Sequence, residues 1–253
     1  MKIKDINSEV NYIKNWIKKY FVENGPDCKA IIGLSGGKDS TVVAKLCVEA
    51  LGKERVIGVF MPQGNQHDID VAHEVGKYLG IQTIEINIGD TCEMLYNAIE
   101  EGVSHDVHHS SVITSNTPAR IRMSILYAIA GEYHGRVANT CNASEDYVGY
   151  STKFGDSAGD FSPLSSYTVR QVRAIGRALG IPEKFINKAP EDGLSGKTDE
   201  DNLGFSYDVL DDYLENNITP EDYNVYRSIE ERHKRNRHKV EPMPACRDYS
   251  WSF

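Results

Sequence analysis

Ala30-Ile31-Ile32-Gly33-Leu34-Ser35-Gly36-Gly37-Lys38-Asp39-Ser40-Thr41 is the stretch that decides the fold. An apolar run suited to a buried strand (29–34) meets two adjacent glycines and then a helical segment (40–51) closed by Gly52, giving strand, glycine turn, helix. The glycines let backbone amides approach an anion closely. The first turn of the helix presents unpaired N–H groups and the positive end of its dipole to the same anion. Ser35 and Ser40 add hydroxyl donors. Asp39 alone would repel a phosphate, so a carboxylate in this loop fits a ligand for the magnesium that travels with ATP. Asp39 also separates Lys38 from Ser40, which breaks the order of the commoner phosphate loop and weakens a kinase or GTPase reading.

Working outward, residues 8–21 carry Val10, Ile13, Ile17 and Tyr20-Phe21 on one helical stripe, with Asn7 or Ser8 as cap. A strand at 55–61, a helix at 68–79 and a strand at 81–88 follow. This alternation predicts an α/β fold: a Rossmann-like parallel sheet with helices on both faces and ligands outside the carboxyl ends of the strands. Thr117-Pro118 reads as an N-cap and first helical position, opening a helix to about Tyr133. The next strand, 136–140, should deliver Thr140, Asn142 and Glu145 beside the phosphate loop. After a Gly/Ser/Asp-rich loop at 150–164, a helix at 168–179 precedes a polar stretch at 190–202, long enough for a mobile lid. Helices at 206–216 and 219–236 make a helical C-terminal part, and residues 1–253 are expected to form one domain.

Composition narrows the function. A net charge of −9 argues against a nucleic-acid partner and for small-molecule substrates. No apolar stretch approaches the ~20 residues of a membrane helix, so no membrane partner is expected. The N-terminus lacks the apolar core of a signal peptide, and a cytoplasmic location is expected. The five cysteines are scattered and odd in number, which fits reduced thiols. His105, His108 and His109 lack helical spacing and an obvious third ligand, so they read as a polar loop.

The loop S-G-G-x-D-S resembles that of the ATP pyrophosphatases, which cleave ATP between its α and β phosphates and adenylate a substrate oxygen. Further stretches narrow the resemblance. Asn116-Thr117-Pro118-Ala119-Arg120-Ile121-Arg122-Met123 is similar to the N-x-x-A-R-x-R-M segment of NAD synthetases. Lys153-Phe154-Gly155-Asp156 through Asp160 to Pro163-Leu164 is similar to that family's K-x-G-D…D…P-L run. Lys188-Ala189-Pro190, Thr198-Asp199-Glu200, Asp212-Tyr213-Leu214 and His238-Lys239 keep the same order.

The resemblance to ammonia-dependent NAD synthetases implies amidation of nicotinic acid adenine dinucleotide (deamido-NAD) through an acyl-adenylate, with AMP and pyrophosphate released. It implies that Gly33, Leu34, Ser35, Gly36, Gly37, Lys38, Asp39, Ser40 and Thr140 bind ATP, and that Asp39 and Glu145 hold Mg2+. By the same resemblance Arg120, Lys153, Asp160, His238 and Lys239 bind deamido-NAD, Asp39, Glu145, Lys153 and Asp160 serve catalysis, and the enzyme is a homodimer.

Two departures stand out: Val169 where many members carry a phosphate-reaching lysine, and Glu191 where Thr or Ser is usual. A lysine at 169 is therefore expected to strengthen ATP binding. Free ammonia is the expected nitrogen donor, because the residues before Ser35 and after His238 are too few for a glutamine-hydrolysing domain. The rivals are a tRNA-thiolating relative, which needs reactive cysteines and a nucleic-acid surface, and a non-catalytic nucleotide-binding module, which needs no pair like Asp39 and Glu145.

Overall fold

The computed structural model describes residues 3–66, 69–103, 110–187 and 198–245. Helix α1 (Ile6–Asn24) is capped by Asp5, whose carboxylate accepts from the amides of Asn7 and Ser8, two residues ahead of the expected cap. The chain then runs β1 (Lys29–Gly33), α2 (Lys38–Leu51), β2 (Val56–Phe60), α3 (Ile69–Leu79), β3 (Gln82–Glu85), α4 (Gly89–Gly102), α5 (Ser111–Glu132) and β4 (Gly135–Val137). Beyond the sheet lie α6 (Ala143–Val148), α7 (Val169–Ala178), α8 (Glu183–Ile186), α9 (Asp199–Leu203), α10 (Tyr207–Asn216) and α11 (Tyr223–Asn236).

The four strands pair in the order β3-β2-β1-β4, all parallel, with Ile31 opposite Ile57 on one side and Val137 on the other. Successive strand residues point to opposite faces, so Ile32 packs under α1, α2, α3 and α7 while Ile31, Ile57 and Val137 pack under α4 and α5. A third apolar cluster, Val148, Val169, Leu203, Phe205, Tyr207, Leu210 and Ile229, fastens the C-terminal helices together. The order reverses at β1, which places a crevice outside the carboxyl ends of β1 and β4.

Helix α5 begins at Ser111, seven residues before the expected start, and Pro118 lies inside it. Proline there forgoes one intrahelical bond but its fixed φ suits the helix, and the turn before it continues the same spiral. Helix α11 likewise begins at Tyr223, capped by Asp222, and not at 219. The histidines at 105, 108 and 109, most of the 190–202 stretch, Glu191 and Cys246 lie outside the described residues.

Candidate active site

The glycine turn leads into α2 two residues earlier than the sequence pattern predicts, so Lys38 and Asp39 form the helix's first turn after Gly37 as N-cap. No side chain caps the Gly37 end; Ser40 Oγ and Thr41 Oγ1 donate to its carbonyl at 3.2 and 2.7 Å, and its N–H donates to Ser35 Oγ at 3.2 Å. Gly36 is required on two grounds: its φ is +78°, and a Cβ there would lie 2.9 Å from the backbone nitrogen of Ala72 in α3. The glycine turn is thus pressed against a second helix.

Lys38 is buried, 3% exposed, and its Nζ lies 2.9 Å from Asp39 Oδ2 and 5.8 Å from the centre of the Tyr207 ring. Burial opposes its charge, but Asp39 and Glu145 outweigh burial and hold the ammonium pKa above the ordinary lysine value. Its side chain is therefore the counter-ion of two carboxylates and does not line the cavity described below.

Asn142 joins the two halves of the site. Fully buried at the N-cap of α6, it accepts from the amides of Ser144 (3.1 Å) and Glu145 (3.0 Å), and its Nδ2 donates to Asp39 Oδ1 at 3.1 Å. Glu145 Oε2 accepts in return from the Asn142 amide at 3.3 Å, completing a capping box. Asn142-x-x-Glu145 carried that signature in the sequence, and the helix it starts is what delivers Glu145. Burial, then the nearby Asp39 charge, push the Glu145 carboxyl well above the usual range, with Lys38 opposing them. Behind α6, Ser144 Oγ donates to the fully buried Asp211 at 2.5 Å, and Asp211 also accepts the Arg170 amide at 2.7 Å, fixing α6 against α7 and α10.

Ser35, Gly37, Asp39, Ser40, Thr140, Cys141, Glu145, Tyr150, Asp156 and Asp199 line a cavity of about 210 Å3 at this crevice. The sequence reading assigned no role to Asp156 or Asp199, although both fall inside its quoted motifs. Asp199 is positioned by the first turn of α9, whose capping box pairs Thr198 with Asp201; burial raises its carboxyl pKa, and Tyr207 donates to it at 3.4 Å. Four carboxylates therefore face one cavity with Lys38 as the buried cation beside them.

Such a surplus of negative charge is suited to a polyphosphate only when a cation comes with it. Among the described residues no group of three or more His, Cys, Asp or Glu is arranged to hold a metal alone. Asp39 and Glu145 are nevertheless hard oxygen donors joined through one amide. A cation that takes one or two carboxylates and completes its shell with phosphate oxygens and water fits this set, which describes magnesium.

The residues expected to bind the acceptor lie outside that cavity. Arg120 Nε donates to the Lys153 carbonyl at 3.2 Å, and Lys153 Nζ donates to the His238 carbonyl. Asp160 accepts the Val137 amide at 2.7 Å and the Tyr127 hydroxyl at 3.4 Å, so it extends the edge of β4. Lys239 Nζ donates to the Gly149 carbonyl at 2.7 Å, His233 Nδ1 to the Tyr147 carbonyl at 2.8 Å, and Asn236 Nδ2 to the Val148 carbonyl at 2.9 Å. Three consecutive carbonyls at the end of α6 are thus capped from α11 and the turn after it, while His238 Nδ1 donates back to the Arg235 carbonyl.

The expectation for Val169 is reversed. Its side chain is 0% exposed in the cluster with Val148, Tyr207 and Leu210, so a lysine there would place an ammonium in an apolar core.

The sequence pattern that defines the NAD synthase family matches residues 9–243. The chain is 39% identical over 226 residues, 86% of each chain, to the NH3-dependent NAD+ synthetase of Methanocaldococcus jannaschii. This chain belongs to the NAD synthase family. Its fold agrees with a solved structure described as an NMN synthetase from Francisella tularensis, with TM-score 0.86, 33% identity, and 96% and 99% of the two chains covered. It agrees as well with the NH3-dependent NAD synthetase of Campylobacter jejuni, with TM-score 0.74, 27% identity, and 97% and 100% covered. The family is one of ligases, and its reaction is the ATP-dependent amidation of deamido-NAD. Glycine loop, crevice and α/β sheet are those of an enzyme that works on ATP.

Proposed function

We propose that this chain amidates deamido-NAD at the β1–β4 crevice, using magnesium-ATP and ammonia. The observation that carries the reading is the joining of Asp39 to Glu145 through Asn142 at the mouth of a glycine loop. In the first step an oxygen of the pyridine carboxylate attacks the α-phosphorus of ATP, and the bond from that phosphorus to the bridging oxygen breaks, giving an acyl-adenylate and pyrophosphate. In the second the ammonia nitrogen attacks the acyl carbon, the carbon–oxygen bond to AMP breaks, and the nitrogen gives up a proton to water.

The backbone amides around Ser35 to Ser40 and the first turn of α2 would hold the phosphates, with Thr140 lining the same cavity. Asp39 and Glu145 would hold magnesium, whose chemistry is to neutralise the phosphate charge that develops as pyrophosphate leaves. Arg120 and Lys153, joined through one backbone carbonyl at the rim, would meet the acceptor. Asp160, His238 and Lys239, bonded to the chain's own backbone, would shape that rim. Ammonia is named as donor because the relatives of matching length are NH3-dependent.

A second copy would cover α4 and α5. Val112 and Tyr127 on α5 are exposed, as are Met94 and Leu95 on α4. The four described cysteines are free thiols, in keeping with a reducing compartment such as the cytoplasm. Among the described residues no helix is long and apolar enough to cross a membrane.

One observation favours a second acceptor, the mononucleotide: the Francisella neighbour is described as an NMN synthetase. Purified protein given ATP, magnesium and ammonium with either deamido-NAD or nicotinic acid mononucleotide tests both readings. Equal amounts of amide, AMP and pyrophosphate are expected, with the higher kcat/KM on deamido-NAD. Release of ADP and phosphate, or no amide from either acceptor, would contradict the proposal.

A further inference from the structure

Arg122 follows Arg120 by two residues on α5 and has a different environment. It is partly buried, and its Nε donates to the carbonyl of Met61, the residue just beyond β2, at 3.0 Å. That is its one hydrogen bond to the described residues, and it forms no ion pair with them. The groups of opposite charge that act on it are the Cys92 thiol and the Asp156 carboxylate, and neither is bonded to it; burial pulls its pKa below the ordinary arginine value. A partly buried guanidinium with no acid bonded to it is placed to pair with an anion that arrives at its free N–H groups.

A second unpaired group stands at the same strand end. Gln63, two residues past Met61, has a buried Oε1 with no hydrogen-bond partner. The carboxyl end of β2 lies beside that of β1, on the side of the sheet where parallel α/β folds receive ligands, and Asp156 is shared between the surroundings of Arg122 and the wall of the cavity. An unpaired donor fork and an unpaired acceptor together call for a ligand carrying anionic oxygens as well as hydroxyl or amine groups.

We propose that Arg122 is an anion-binding residue of this active site, gripping a phosphate group of one of the two nucleotide substrates with the N–H groups that Met61 leaves free. The proposal rests on the synthetase reading for which nucleotides are relevant, and on the unpaired guanidinium for the contact itself. A merely structural arginine that ties α5 to β2 would behave differently. Its loss would lower stability and leave nucleotide affinity alone.

The test uses the full chain with Arg122→Met and Arg122→Lys, measuring thermal unfolding without ligand, calorimetric binding of magnesium-ATP and of deamido-NAD separately, and KM for each. Arg122→Met is expected to unfold near the parent's temperature, because the side chain's one hydrogen bond is exchanged for an apolar side chain in a partly buried place. It should bind one of the two nucleotides roughly 10- to 100-fold more weakly, the range for a charge-assisted contact. Arg122→Lys should recover part of that loss. The nucleotide that weakens identifies the source of the phosphate. Parental affinity for both nucleotides in either folded variant would overturn the proposal, and Arg122→Lys supplies the answer if Arg122→Met does not fold. The binding measurements need no turnover, so a parent that binds ATP but makes no NAD would refute the synthetase reading while still deciding the role of Arg122.

Discussion

Asn142→Ala should loosen the site and the fold together, because one buried side chain performs both tasks. Its Oδ1 caps α6 through the Ser144 and Glu145 amides at 3.1 and 3.0 Å. Loss of a cap costs about 1 kcal/mol, within a range of roughly 0.5–2. Its Nδ2 donates to Asp39 Oδ1 at 3.1 Å, a bond to a charged acceptor of about 1.5–3 kcal/mol. Together these predict a loss of about 3 kcal/mol and, at roughly 2–4 °C per kcal/mol for a chain of this size, a melting temperature lower by roughly 6–12 °C.

The same change frees Glu145 and Asp39 from their common anchor, so kcat/KM for ATP should fall by more than ~10-fold, a loss of above about 1.4 kcal/mol in transition-state stabilisation. Asn142→Ser separates the two tasks, since a serine caps as well as asparagine but has no amide to reach Asp39. It should regain about 1 kcal/mol of stability and little of the activity. Scanning calorimetry and steady-state kinetics on the three proteins decide the matter. A variant Asn142→Ala that melts within 1–2 °C of the parent with kcat/KM intact would refute the joining role.

Four further outcomes follow from the same geometry. Glu145→Gln should raise the melting temperature of the ligand-free protein, because it removes a buried carboxylate crowded by Asp39, while lowering activity at least ~100-fold; a variant with near-normal turnover would remove Glu145 from the site. Asp146, pushed by burial and then by Asp156 to about 6 from an ordinary 3.8, binds more protons folded than unfolded, so its contribution to stability is lost as pH rises from 3.8 through about 6. Asp146→Asn should therefore stabilise the protein by roughly 1–3 kcal/mol at pH 7 and by almost nothing at pH 3.5 in denaturant titrations, and an equal effect at both would contradict the assignment. Val169→Lys should lower the melting temperature by several degrees and bring no improvement in the KM for ATP, where a lower KM would show that the side chain reaches a phosphate after all. With total ammonium held constant, amide formation should rise between pH 7 and 8.5 as free NH3 increases, which a flat profile would disprove.

Much of this was legible from residue order because the deciding signals are local. The Ala30–Leu34 run and Gly36-Gly37 set strand and turn through their own backbone preferences, and the β1 and α2 that result lie within two residues of expectation. Glu145 was correctly brought beside the loop, but the helix that carries it was missed, although its Asn142 capping box was visible. A six-residue helix has too little apolar periodicity to register. Pro118 misplaced the start of α5 because a proline at the first helical position and one in a continuing helix look alike until neighbouring packing is known.

Residue order was least informative where direction matters. Lys38 and Lys239 match the family pattern and Val169 departs from it, but the pattern does not say that Lys38 pairs with Asp39, that Val169 faces an apolar cluster, or that Lys239 caps a carbonyl of the chain itself. Which way a side chain points depends on how α6, α7 and α11 pack on one another. Those contacts join residues some 20 to 90 positions apart, beyond the reach of any local pattern.

The fate of one oxygen tests the adenylating amidation most directly. Deamido-NAD labelled with oxygen-18 in both carboxylate oxygens would be converted with unlabelled ATP, magnesium and ammonium, and the products examined by mass spectrometry. Attack of the carboxylate on the α-phosphorus predicts AMP carrying one labelled oxygen, the amide of NAD keeping the other, and pyrophosphate carrying none. Label in pyrophosphate or orthophosphate, or amide formed with unlabelled AMP, would contradict the chemistry assigned to the Asp39–Asn142–Glu145 site.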